Sequence, residues 1–160
     1  MKQDLIEAIE SNDIDRLKEL IGKNADINVI DDYGDPLLII ALHKKYFEIF
    51  RNLVQFGVNV NLKDKKGQTA LHHAAANGYF DIAELLIANY GSLAEIDIYG
   101  NQPLWTAVFN VKKDLAGLNI VELYLKNGAN KNHKNNAGRS PLDFANQVKF
   151  EPLLEVLQKY

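Results

Sequence analysis

Apolar residues recur in this chain on two length scales. On the short scale they follow a helix: Leu71, Ala74 and Ala75 stand at i, i+3 and i+4, and Ile82, Leu85 and Leu86 share one face of FDIAELLIAN. On the long scale the whole pattern returns. Gly34, Gly67 and Gly100 are 33 residues apart, and Gly138 follows. Four residues after each comes Leu38, Leu71, Leu104 or Leu142, and three further on Ala41, Ala74, Ala107 or Ala145. Three residues before them stand Asp31, Asp64, Asp97 and Asn135. Such self-similarity is the mark of a repeat array.

One copy predicts its own elements. In DKKG, residues 64–67, the aspartate side chain starts a turn and the glycine suits its closing position. Thr69 and Ser140 then read as helix N-caps, and Pro141 fits the first helical position. Gly78 ends the first helix in a left-handed cap, and a second helix runs over FDIAELLIAN. A helix pair this short cannot bury its apolar face alone, so neighbouring units must stack.

GQTALHHAAANGYFDIAELLIANYG resembles an ankyrin repeat, whose signature is D-x-x-G-x-T-P-L-H-x-A-A-x-x-G. The likeness is strongest over 64–91 and extends, with departures, over nearly the whole chain. It implies an all-α solenoid of about five helix-turn-helix units joined by β-turn fingers. The expected organisation is one domain over 1–160, with an N-terminal cap at 1–30, units at 31–63, 64–96 and 97–134, and a C-terminal cap at 135–160. Three departures carry expectations. Pro36-Leu37 replaces threonine-proline, which makes that helix start atypical. The third unit reads as having one extra residue before Gly91. The fourth gains about five residues around FNVKKDLAG, which lengthens the loop between its helices.

The adjacent His72 and His73 suggest a metal site, but neighbouring helical residues point about 100° apart and chelate one ion poorly. The resemblance gives His72 a scaffold role, hydrogen-bonded near the helix start. Its counterparts Ile39, Trp105 and Asp143 make no histidine array. Asp31, Asp32 and Asp35 cluster in DDYGD without the later glutamate of a calcium loop. No nucleophile elbow, phosphate loop or dinucleotide-binding turn is present. Neither an enzyme nor a cofactor or small-molecule substrate is therefore expected.

Composition narrows the rest. The chain has no cysteine, and its formal net charge of −3 argues against nucleic-acid binding driven by bulk charge. No apolar run approaches a membrane span and no signal-peptide pattern opens the chain, so a cytoplasmic, monomeric protein is expected. Charge is uneven: residues 1–64 hold twelve acids and eight bases, and residues 65–160 nine acids and ten bases.

The resemblance implies a protein or peptide partner bound across hairpin tips and first helices. An immunity or antitoxin protein covering a toxin's active site would use the same surface. The variable tip positions are Asp32, Tyr33 and Asp35; Lys65, Lys66 and Gln68; Ile98, Tyr99 and Asn101; and Arg139. Phe109 and Asn110 stand at the end of a first helix. Tyr33, Tyr99 and Phe109 are the expected anchors, since exposed aromatic residues dominate many interfaces. Trp105 is expected to serve packing.

Overall fold

A computed structural model describes residues 1–111 and 117–160. Among these residues the regular structure is ten α-helices, with a lone antiparallel bridge between Ile30 and Pro36 and no strand. The chain separates into two compact units, Met1–Lys65 and Lys66–Tyr160.

The first unit holds α1 (Lys2–Glu10), α2 (Ile14–Gly22), α3 (Leu37–Lys44) and α4 (Phe47–Gln55). Helix α1 packs on α2, α3 on α4, and α1 on α3. The core is aliphatic, with Leu5, Ile9, Leu17, Leu37, Ile39, Ile49 and Leu53 buried around Phe50. Asp13 caps α2 by accepting the Arg16 N–H, satisfying one of the free donors at a helix start. Helix α3 has no such cap. It begins after Pro36, and all six residues from Leu37 to Leu42 are buried.

The second unit holds α5 (Ala70–Asn77), α6 (Phe80–Ala88), α7 (Pro103–Asn110), α8 (Leu118–Lys126), α9 (Pro141–Val148) and α10 (Glu151–Lys159). First helices touch first helices, α5 with α7 and α7 with α9. Second helices touch likewise, α6 with α8 and α8 with α10. Seven residues separate α7 from α8, where two separate α5 from α6, so the expected longer loop follows α7. Positions 112–116 of that loop lie outside the described residues.

The reading of an extra residue before Gly91 is corrected by the helix ends. Helix α6 is as long as α4, and both lie 33 residues apart throughout. Tyr90, at φ 66°, occupies the left-handed position that Gly57 and Gly128 hold elsewhere. Gly91 stands where Val58 and Ala129 stand, and its N–H donates to the Leu86 carbonyl at 2.8 Å, as theirs do to Leu53 and Tyr124. A Cβ at residue 91 would come within 2.7 Å of the Leu86 carbonyl oxygen, so a side chain like that of Val58 or Ala129 would need the backbone here to shift. The glycine has moved one residue on, and an exposed tyrosine has taken the strained place.

Polar bonds tie the second unit's repeats together. Tyr124 on α8 is fully buried, and its hydroxyl donates to the Leu71 carbonyl on α5 at 2.7 Å. Burial pushes its pKa up. At the surface, Lys159, Tyr160 and Lys126 hold the Glu122 carboxylate, lowering its pKa to about 2.

Candidate functional site: an aromatic groove beside the hairpin tips

Three of the tips are each built by one side chain. Asp31 Oδ1 accepts from the amides of Tyr33 and Asp35, Asp97 Oδ1 from those of Tyr99 and Asn101, and Asn135 Oδ1 from those of Ala137 and Arg139. These bonds fold the backbone into a turn and push the residue after next outward. Tyr33 is 75% exposed and Tyr99 61%. Within the second unit the tips are joined: Ile98 N–H donates to the Lys66 carbonyl at 2.9 Å, and Asn136 N–H to the Tyr99 carbonyl at 2.9 Å.

His72 completes the frame. Its Nδ1 accepts the Thr69 N–H at 3.1 Å, which closes a capping box at the start of α5. An Nδ1 that accepts leaves the ring proton on Nε2, which donates to the Asn101 carbonyl of the next repeat at 3.0 Å. The side chain is completely buried. The histidine therefore fixes a helix start and the neighbouring tip at once. No group of three or more metal-ligating side chains comes together among the described residues.

Five of the twelve residues expected at the partner surface line one groove of about 450 Å³ in the second unit: Gln68, Tyr99, Asn101, Phe109 and Asn110. Ala76, Asp97, Trp105 and Thr106 complete its walls. Phe109 is 58% exposed at the end of α7. Lys66 and Ile98 lie at the joined tips above, and the Arg139 guanidinium sits 5.8 Å over the Trp105 ring. Trp105 was expected to pack, and it does so against Phe144 at 5.8 Å, but it also forms groove wall. Its pairing with Arg139 and Phe144 crosses a repeat boundary, which short-range spacing does not reveal.

The remaining four lie in the first unit and take no part in this groove. Asp32 pairs with Lys2 at 3.3 Å and Asp35 with His43 at 3.3 Å. Lys65 packs its stem over Gly34, beside Tyr33.

Comparison with known proteins matches the same repeats. The family model of ankyrin repeats in three copies covers residues 5–99 and 57–135. The mouse "Protein fem-1 homolog A-like" is 38% identical over 89 residues, 55% of this chain and 14% of its own length. The "Probable 26S proteasome regulatory subunit p28" of Saccharomyces cerevisiae is 33% identical over 120 residues, 75% of this chain and 51% of its own length. Human "Rabankyrin-5" is 32% identical over 144 residues, 82% of this chain and 12% of its own length. The chain thus spans about half the length of one relative and a small part of the others. No helix among the described residues is long and apolar enough to cross a membrane. With the 33-residue period, the ten paired helices and this match in hand, the chain belongs to the ankyrin-repeat family.

Proposed function

We propose that this chain is a non-catalytic protein-interaction module whose second unit holds its partner in the groove beneath the tips. Ankyrin repeats as a family mediate protein–protein interaction. The observation that supports the location is the convergence of Tyr99, Trp105 and Phe109 on one open cleft with a polar margin. Partly exposed aromatic side chains ringed by polar groups are the usual makers of interface energy. Asp32, Tyr33, Asp35 and Lys65 offer a further tip surface in the first unit, with Tyr33 as its anchor. On this reading the protein acts as a cytoplasmic monomer without a cofactor. An immunity protein shielding a toxin's active site remains one form of the same module.

The test is affinity capture from native lysate with single alanine variants. Tyr99→Ala and Phe109→Ala should each weaken capture of the main partner by roughly 2 kcal/mol while leaving thermal unfolding nearly unchanged. Tyr33→Ala tests the first unit in the same way. Glu84→Ala, on the exposed face of α6, is the control and should change nothing. Capture that survives loss of the aromatic side chains but fails with the control would refute this surface.

A further inference from the structure

The groove also carries a chemical preference, and this inference rests on the proposal that the groove is the partner surface. Its wall is a run of rings that crosses repeats: Trp105 and Phe109 both meet Phe144, at 5.8 and 5.4 Å between ring centres. Tyr99 lines the same cleft from the tip, and Ala76 on α5 leaves space between them. The volume, about 450 Å³, lies within the range of roughly 300–1,000 Å³ common to ligand clefts. An inserted side chain would be held by apolar and aromatic contact.

The accessible charge beside this wall is cationic. Arg139 lies over Trp105, and no carboxylate among the described residues forms an ion pair with it. Lys134 stands with it in a stretch from Lys126 to Arg139 that contains no acid. Among the described residues two carboxylates lie near, and both are engaged. Asp97 is buried and accepts from two backbone amides and the Asn101 side chain. Asp143 is exposed, but its Oδ2 accepts the Ser140 N–H at the start of α9. That bond, the Ser140 hydroxyl and then Lys134 and Arg139 lower its pKa. Two cations therefore act on one exposed carboxylate. A guanidinium seated on a ring keeps its edge donors for a planar acceptor such as a carboxylate.

We infer that the groove takes an extended acidic peptide segment, with one bulky apolar side chain inserted between Tyr99 and Phe109 against Trp105 and a neighbouring carboxylate paired with Arg139. Aromatic rings beside an arginine also suit single-stranded nucleic acid. Charge decides against it. Residues 66–160 hold nine acids and nine bases, too even a balance to follow a run of phosphates.

Trp105 is the only tryptophan in the chain, so its emission reports on the groove directly. The full chain is titrated, up to about 1 mM probe, with acetyl-Glu-Asp-Phe-Glu-Asp-amide. The comparison probes have lysine for every acid, alanine for the phenylalanine, or are an oligouridylate. The acidic phenylalanine peptide should change the emission saturably and bind at least about tenfold more tightly than any other probe, the equivalent of one charge-assisted contact. Arg139→Ala should weaken it about tenfold, with Arg139→Lys between. Raised salt on the unaltered protein should weaken it as well, which tests the charge even if a variant unfolds. Equal or tighter binding of the lysine peptide, of the alanine peptide or of the oligouridylate overturns the inference, and so does the absence of a saturable change. Those results would leave the groove as partner surface. That broader reading fails separately, when capture is indifferent to Tyr99→Ala and Phe109→Ala.

Discussion

The second and third repeats run the same backbone by different means. Helix α3 starts at an uncapped proline and is held by six consecutive buried residues, Leu37 to Leu42. Helix α5 starts in a capping box and buries mostly alanine, with His72 where α3 has Ile39. Burying one isoleucine contributes about 1.5–3 kcal/mol. Two hydrogen bonds of about 0.5–1.5 kcal/mol each come to a similar sum. The energies are alike, but the consequences are not. Apolar bulk tolerates small shifts, whereas the His72 Nε2 bond to the next repeat holds only when the Asn101 carbonyl stands within reach, at 3.0 Å. The third repeat therefore carries positional information to the groove, where Asn101 and Tyr99 lie.

The contrast can be broken at its apolar end first. Ile39→Ala should lower unfolding free energy by about 2–5 kcal/mol, the range for emptying a large buried site, as read by urea titration. His72→Ala should cost less, about 1–3 kcal/mol, because it strands the Thr69 N–H and the Asn101 carbonyl. It should also change the emission of Trp105 in the neighbouring repeat, which a purely local loss would not. The smallest effect concerns the helix exits. Replacing Tyr90, 91% exposed at a left-handed position, by glycine should raise stability by up to about 1 kcal/mol. An unchanged or lower melting temperature for Tyr90→Gly would show that the ring earns its strained place through contact.

Much of this was legible in the chain itself, because the features concerned are local. The turn aspartates, the caps at Thr69 and Ser140 and the left-handed Gly78 each depend on residues within four positions. The structure bears out His72 at its helix start for the same reason. What escaped depends on neighbours roughly 30–50 residues away. The second bond of His72, to Asn101, needs the next repeat's backbone in place. The Trp105, Arg139 and Phe144 cluster likewise joins two repeats. Tyr90 is hidden for another reason: glycine marks a turn so strongly that a tyrosine in its place reads as an insertion. Tyr124 offered one signal, standing four residues after Ile120 on an apolar helix face. Nothing in the sequence pointed its hydroxyl at Leu71.

That hydroxyl bears on how such a chain could have been assembled. Repeats multiply when a gene segment is copied or exchanged, and a copied segment prospers if it fits any neighbour. Leu20, Leu53, Leu86 and Leu157 stand at the position of Tyr124 in the other second helices and ask nothing polar of theirs. Tyr124 does, because its oxygen is buried on the carbonyl of Leu71. Moved behind a repeat whose first helix does not bring a backbone carbonyl to the same place, its oxygen would be buried without a bond, at a cost of about 1–3 kcal/mol. The fourth repeat thus fits neighbours that place that carbonyl as the third does, and recombination between the two should be tolerated less often than recombination around them.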